Sequence, residues 1–484
     1  MNQTSALLAK IKRYFTNTSP QKATFIVVLI FGTLFAVITP PFQAPDEASH
    51  FYRAYQVSEL HLFPRVIPGG YGDYLPQSTT VTANATGQQI QLNSKARYRV
   101  QATFEQLNQP LNSRKTVPVQ FNAAETYSPI AYIPQAIGIF VGRIMNLSPI
   151  LLLLFGRLAN VIFWASILYL AIKITPVGKW GFAVLGLTPM ALFMAGSVSE
   201  DVATNGLAFL LFAWSFYVAN KSTVTLRDKI ILGGLAIGIS LTKIVYLPLL
   251  VVLFILPHKS LGGKFKKTIF LSLILGIALL FGAGWQQEIS KVQGASIKTT
   301  NLLIGFEVKP RQQLDYILKQ PVEYIKVVWN TYFTNNGNHI TNEFIGTLGS
   351  LDVALPTGII IAGYTLITLI LVSEEQTILE LTRLYKIMLI TAAVIMVAAI
   401  STAMYLYSSP FKYVIIVGLQ GRYFIPISLV AIPLTINVFK GIKITPETRR
   451  RIAINGSVLM LSLAVIFTAF RYYAYLGELI AKIQ

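Results

Sequence analysis

The 484-residue chain contains no cysteine. Disulfides, thiolate metal sites and cysteine nucleophiles are therefore excluded. Charge is also scarce, at 12% of residues, where a soluble domain carries roughly 25%. Acids are the scarcer sign, with 20 Asp and Glu against 40 Lys and Arg, and there are four histidines in no cluster. No Gly-Lys-Ser/Thr phosphate loop appears, so nothing indicates ATP use. Neither an internal repeat nor an inverted pair of broken helices stands out. What the chain has is apolar residues: 54% are hydrophobic and the mean hydropathy is +0.58. That composition describes an integral membrane protein. The formal charge of +20 then reflects membrane orientation and anionic lipid-phosphate partners, with no nucleic acid implied. The first apolar run, Ala23 to Thr39, lacks a small-x-small cleavage site and reads as an uncleaved signal anchor.

A spanning helix needs about 20 apolar residues, and basic loops mark the cytoplasmic side. Lys10, Lys12, Arg13 and Lys22 place the N-terminal segment, 1–21, inside. Span 1 (about 22–39) leads to a long outer loop, 40–148. Ala48 to Leu62 suits an interfacial amphipathic helix through Phe51, Tyr52 and Tyr55. Residues 64–125 are polar and rich in Gln, Asn and Thr, which predicts a small irregular exposed loop. The stretch 127–145 is ambiguous in length. Laying it in the interface as a juxtamembrane helix makes every later inner turn basic, whereas counting it as a span reverses them all. The remaining spans then fall near 149–172, 180–198, 202–219, 230–242, 244–257, 268–285, 354–372, 387–405, 423–439 and 452–470, about 11 in all. Residues 22–285 form a membrane core, 286–352 a second outer region and 353–484 a set of C-terminal membrane helices.

The stretch from Pro40 to His50 lies where span 1 meets water. Pro40, Pro41 and Pro45 forbid a continuous helix and stiffen a turn that presents Asp46 and Glu47. His50 and Arg53 follow at helical spacing, so the four share one face if a helix starts at Asp46. A plainer alternative is that Asp46 N-caps that helix. On the expected topology the other unusual polar residues collect on the same side. Glu200 and Asp201 follow span 3, and Arg157 lies inside the outer end of span 2. Lys243 joins two short helices, Asp352 precedes a span, and Gln420-Gly421-Arg422-Tyr423 opens another.

Ionisable groups beside hydrocarbon usually face a cavity or one another, so these residues describe a polar cavity at the outer leaflet. Each also has a structural alternative. Glu200 and Asp201 could cap a helix, Arg157 could partner one acid, Lys243 could snorkel and Arg422 could be an anchor. His50 is expected to hydrogen-bond Asp46. As chemistry, Arg and Lys would hold a lipid-linked phosphate and stabilise its charge as it leaves. A carboxylate would take the proton from an acceptor hydroxyl attacking an anomeric carbon. That is glycosyl transfer from a polyprenyl-phosphate sugar. A divalent metal on Asp46, Glu47 and Glu200 or Asp201 is the other arrangement these residues allow.

Six motifs carry a family resemblance. They are Pro-Pro-x-Gln-x-Pro-Asp-Glu-x-x-His at 40–50, Tyr-Ser-Pro-x-x-Tyr-x-Pro-Gln-Ala at 127–136, Gly-Arg-Leu-Ala-Asn at 156–160, Ser-x-Ser-Glu-Asp at 197–201, Leu-Gly-Ser-Leu-Asp at 348–352 and Gln-Gly-Arg-Tyr-Phe-x-Pro at 420–426. On these the chain resembles the bacterial polytopic family called domain of unknown function 2142, placed in the GT-C glycosyltransferase clan. The plan is similar to that of aminoarabinose and protein O-mannosyl transferases, where an acid just after the first span is central to catalysis. Asp46 or Glu47 matches that acid, and Glu200 or Asp201 matches a second acid after the third span.

The resemblance implies an all-α GT-C-type membrane fold in the bacterial plasma membrane, with juxtamembrane helices in the first outer loop and the active site facing outward. It implies an inverting transferase that moves a sugar from an undecaprenyl-phosphate carrier to a surface glycan, teichoic acid or lipid acceptor. The expected base is Asp46, oriented by Glu47 and His50, and Glu200 and Asp201 complete the expected catalytic group. Arg157, Lys243 and Arg422 are expected on the donor phosphate, and Arg53, Tyr127, Asp352, Gln420 and Tyr423 on substrate. The adjacent acids depart from an Asp-x-Asp metal motif, so Mg or Mn is an open cofactor. A polyprenyl-phosphate glycosyltransferase and a flippase are implied pathway partners. The rival functions are a polysaccharide polymerase or ligase using a lipid-diphosphate donor, and a non-enzymatic flippase or exporter of lipid-linked sugars.

Overall fold

The computed structural model describes residues 18–68, 70–87, 90, 96–294, 300–301, 306–334, 337–374, 381–435 and 444–473. The basic residues Lys10, Lys12, Arg13, Lys440 and Lys443 lie outside the described residues, as does the end of the expected span 423–439. The described chain is mostly helical, and six of its helices are long and apolar enough to cross a membrane. These are α1 (Pro20–Ile38), α6 (Pro149–Ile174), α9 (Asp201–Ala219), α11 (Lys264–Gly294), α16 (Arg383–Tyr407) and α19 (Pro446–Tyr473). Between them in the chain come α7 (Lys179–Gly186), α8 (Pro189–Ala195), α10 (Leu226–Thr242) and α15 (Thr357–Ser373).

Several elements differ from the sequence expectation for local reasons. The span expected at 180–198 is two short helices. Pro189 has no amide to continue the first, and Thr188 restarts the chain by accepting a hydrogen bond from the Ala191 amide. Trp180 to Ala195 is nonetheless buried throughout, so this segment is core. After Thr242 the α-helix gives way to a 3-10 helix, Ile244–Ile255, with Lys243 extended between them. The stretch 421–435 is likewise broken, into Gly421–Phe424, α17 (Ile425–Ser428) and α18 (Ala431–Thr435).

The outer loop is more ordered than its polar composition suggests. It holds α2 (Glu47–Ser58), β1 (Arg65–Ile67), β2 (Gly70–Pro76), α3 (Gln77–Thr86), α4 (Val100–Leu107) and β3 (Thr116–Gln120). The strands form one antiparallel sheet in the order β1-β2-β3, with Gly72 opposite Arg65 on one side and Gln120 on the other. A side chain at Gly72 would sit 1.8 Å from the Val119 carbonyl oxygen, so only glycine fits. Under this sheet α2 is buried rather than interfacial. Phe51, Tyr52 and Tyr55 pack with Phe42, Leu75, Phe121 and Val198 in a second core. α5 (Ile133–Ile144) doubles back along the first half of α6, where a Cβ on Gly138 would lie 2.2 Å from the Phe155 carbonyl oxygen. Its other face, including Ile137, Phe140 and Ile144, is exposed.

Contacts between helix ends divide the bundle into two ends. The C-terminus of α1, the N-termini of α6 and α9 and the C-terminus of α10 meet through Glu47–Arg157 and Asp201–Lys243. The opposite end joins the start of α19 to the end of α15 through Arg449 and Ser373. It also joins Glu374 to the first turn of α7. Lys173, Lys179, Lys221, Arg227, Lys264 and Lys386 belong to this second end. Once the short and broken segments are counted, successive segments alternate in direction: α1, the α7–α8 pair, α10, α11, α16 and α19 run toward the Asp46 end, and α6, α9 and α15 run away from it.

Candidate functional site

Asp46 and Glu47, adjacent in sequence, go separate ways. Asp46 takes a left-handed conformation (φ 57, ψ 14) at the start of α2 and makes no side-chain cap bond. Such backbone strain is tolerated where the surroundings fix it, often at functional sites. Its carboxylate is 64% exposed. Glu47 is fully buried and chelated by Arg157, Nε to Oε1 at 2.8 Å and Nη2 to Oε2 at 2.6 Å, and Oε1 also accepts the Val198 amide.

The other donors of Arg157 go to the Ala36, Thr39 and Pro40 carbonyls. This corrects two expectations: Arg157 is not available to a phosphate, and Glu47 does not orient Asp46. The pair instead locks the proline turn to α6.

His50 does not bond Asp46 either. Its Nδ1 lies 2.8 Å from the Tyr132 hydroxyl, which itself donates to the Ala124 carbonyl at 3.3 Å. Nε2 lies 3.0 Å from Glu200 Oε2. The contact with Glu200 calls for a proton on Nε2, while Nδ1 faces a hydroxyl that serves the ring in its neutral or its charged form. Burial lowers the affinity of the ring for a proton. The charge and hydrogen bond of Glu200, with Asp46 behind, outweigh burial and Arg422, and hold it above 6.5.

Glu200 and Asp201 sit at the start of α9 without capping it. They share one ammonium: Lys243 Nζ lies 2.8 Å from Glu200 Oε1 and 2.6 Å from Asp201 Oδ1. The extended backbone at Lys243, between two helices, projects that side chain inward. The rings of Tyr127 and Tyr423 lie 5.3 and 5.1 Å from Nζ, a cation–π sandwich.

Arg422 is the loosely held member. Its guanidinium is 2% exposed, with Nη1 at 3.3 Å from Asp201 Oδ2 and Nη2 at 3.8 Å from Asp46 Oδ2. A charge-assisted bond runs at about 2.7–2.9 Å, so neither contact is one. Its Nε and Asp201 Oδ2 are buried without a hydrogen-bond partner. A buried donor left unmade costs free energy, so an acceptor brought to Arg422 Nε would be bound favourably. Gln420 Oε1, two residues earlier, is buried and unpartnered as well.

Glu343 was not legible from the sequence. On α14 (Gly337–Gly346) it accepts the Gly421 amide at 2.7 Å. A Cβ on Gly421 would lie 2.3 Å from the Ile340 carbonyl oxygen, so glycine permits this contact and sets where Arg422 stands.

Two other expected site residues serve elsewhere. Arg53 is buried and donates to Gln56 Oε1 and to the Leu62 and Tyr127 carbonyls, tying the outer loop together. Asp352 pairs with Arg471 at 2.6 Å and accepts from the Tyr472 hydroxyl, clamping its loop to the end of α19. From that loop Ser350 donates to the Gln43 carbonyl, three residues before Asp46.

The oxygens expected to hold a metal are largely taken. Glu47 is held by Arg157, and Glu200 and Asp201 by Lys243. Among the described residues no cluster of three or more His, Asp or Glu is arranged to hold an ion.

The family model described as "Predicted membrane protein (DUF2142)" matches residues 29–431. No curated protein and no solved structure matches the chain.

Proposed function

The chain belongs to the DUF2142 family of predicted membrane proteins, and from that premise we propose that it is an inverting GT-C-type glycosyltransferase. It moves a sugar from a polyprenyl-phosphate donor to a surface glycan, teichoic acid or lipid acceptor outside the bacterial plasma membrane. One observation carries this reading: an exposed carboxylate, Asp46, stands beside a buried guanidinium, Arg422, whose Nε has no partner.

The three carboxylates Asp46, Glu200 and Asp201 are balanced by Lys243, Arg422 and imidazolium His50. A phosphodiester approaching Arg422 has only two long carboxylate contacts to displace. Asp46 takes the proton of the acceptor hydroxyl as its oxygen attacks the anomeric carbon. The bond from that carbon to the phosphate oxygen breaks, and the electron pair leaves with polyprenyl phosphate. Arg422, supported by Lys243, stabilises the charge that develops there. Glu200 and His50 hold Lys243 in place, and Gln420 Oε1 offers an acceptor to a sugar hydroxyl. Glu47, Glu200 and Asp201 are bound to cations and leave Asp46 as the one open acid of the four, so side chains handle both the proton and the leaving charge.

The test is cell-free transfer from a labelled polyprenyl-phosphate sugar in membranes carrying the protein. Asp46→Asn is expected to lower the rate by about 10²–10⁴-fold, the range for a general base, with the protein still folded. Transfer unaffected by Asp46→Asn, or use of a lipid-diphosphate oligosaccharide alone, overturns the reading. Lipid movement across the membrane without transfer would make the protein an exporter instead.

A further inference from the structure

The second outer region contains two consecutive helices that the reaction does not use, α12 (Pro310–Lys319) and α13 (Pro321–Phe333). We propose that this pair lies flat in the leaflet at the Asp46 end, with its apolar stripe among acyl chains and its basic flank on anionic headgroups. By doing so it seats the Arg422 segment at the bilayer surface. This inference does not depend on the transfer reaction.

The orientation follows from contacts with α16, a membrane-length helix ending at Tyr407. Gln313 Nε2 reaches the Tyr405 carbonyl, the Tyr324 hydroxyl meets Thr402 Oγ1 at 2.8 Å and the Tyr332 hydroxyl meets Ser401 Oγ at 2.8 Å. From Gln313 to Tyr332 the contact on α16 moves only from Tyr405 to Ser401, about 6 Å of helix rise. The pair therefore crosses α16 near its end instead of running along it. Neither helix approaches the roughly 20 residues that a span needs.

The opposite face is unpartnered. Leu314, Leu318, Val322, Ile325, Trp329 and Phe333 are each between 43% and 70% exposed. The spacing of four in α12, and of three and four in α13, keeps them on one stripe of each helix. Water would not favour so continuous an apolar strip, and tryptophan at this level suits a membrane interface. Arg311, Lys319 and Lys326 border it. The acids of the pair are Asp315 and Glu323, and Glu323 is bonded to Lys326. That charge complements anionic lipid phosphate.

The inner face of α13 holds the irregular approach to Arg422. Thr331 Oγ1 accepts the Ile416 amide at 2.9 Å, Asn330 donates to the Val414 carbonyl, and Tyr332 meets Phe424 edge to face.

Because the chain has no cysteine, single cysteines can be spin-labelled in the full-length protein without removing any. The variants are Ile325→Cys and Trp329→Cys on the stripe, with Gln312→Cys and, in the exposed outer loop, Ser113→Cys as controls. The protein is placed in nanodiscs of mixed phosphatidylethanolamine and phosphatidylglycerol. Collision with oxygen relative to a water-soluble nickel chelate is expected to be several-fold higher at Ile325 and Trp329 than at the controls. Replacing phosphatidylglycerol with phosphatidylcholine is expected to shrink that difference. Equal nickel access at all four positions overturns the proposal. Spin–spin broadening at Ile325 and Trp329 also overturns it, because a second copy of the chain would then cover the stripe. A difference indifferent to lipid charge overturns its anionic part.

Discussion

Glu47 and Arg157 are a buried bidentate pair, and removing one partner of such a pair typically costs about 3–5 kcal/mol. Glu47→Gln is therefore expected to lower the melting temperature of the purified protein markedly, since the Arg157 guanidinium keeps only backbone carbonyls around it. Asp46→Asn, at an exposed carboxylate without a cap bond, is expected to leave the melting temperature nearly unchanged while slowing transfer by about 10²–10⁴-fold. Equal thermal effects of the two changes would contradict this division.

The pH dependence of stability has a definite sign. His50 binds its proton more tightly folded than unfolded. Its contribution is thus fully present below about pH 6.5 and is lost as pH rises through the higher folded value. Glu125 acts in the same direction. Burial, opposed by its own backbone hydrogen bond and by Arg53, raises it to about 7, so its contribution fades between its usual carboxylate range and neutrality. Thermal unfolding followed across this range should show falling stability. Glu125→Gln should remove the lower part of the fall and His50→Gln the upper part. Stability rising with pH would refute both assignments.

Among the elements, the 3-10 turn Gly421–Phe424 depends most on a single small residue. Gly421→Ala places a methyl against the Ile340 carbonyl oxygen and the Phe344 amide nitrogen, both 2.3 Å away. The turn and α14 must then separate, which breaks the Glu343–Gly421 bond and moves Arg422. Transfer is expected to fall by a larger factor than for Gly276→Ala, where a Cβ meets nothing within 4 Å. A Gly421→Ala enzyme of normal rate would show that Arg422 is not positioned this way.

The sequence is readable at this level wherever an element declares itself locally. α6 is one apolar run, and the proline turn breaks α1 where three prolines require it. The β-sheet was not readable, because β2 pairs with β3 across α3 and α4, and its inward residues are few. The break at Pro189 is visible in the sequence but was overridden by the apolar run around it. Within the site, the meeting of Lys243 with Glu200 and Asp201 follows from alternating helix direction. The partner of Glu47 and the role of Glu343 do not, since each depends on side-chain packing between distant segments.

Over the whole molecule, the proposed transfer predicts that the Asp46 end of the bundle faces away from the cytoplasm. The short connections at the other end are basic, with Lys259 before α11, Lys264, Lys266 and Lys267 in its first turn and Arg449 to Arg451 opening α19. Excess Lys and Arg mark the cytoplasmic side. Ser113 in the outer loop and Lys259 at the basic end are both exposed. Single-cysteine variants Ser113→Cys and Lys259→Cys can therefore be treated in intact cells with a maleimide that does not cross membranes. Position 113 is expected to react at once, and position 259 only after the cells are opened. The reverse pattern would put Asp46 and Arg422 in the cytoplasm and remove the reason for an outward-facing transferase. Labelling of both in intact cells would mean that the two ends of the bundle do not lie on opposite sides of one bilayer.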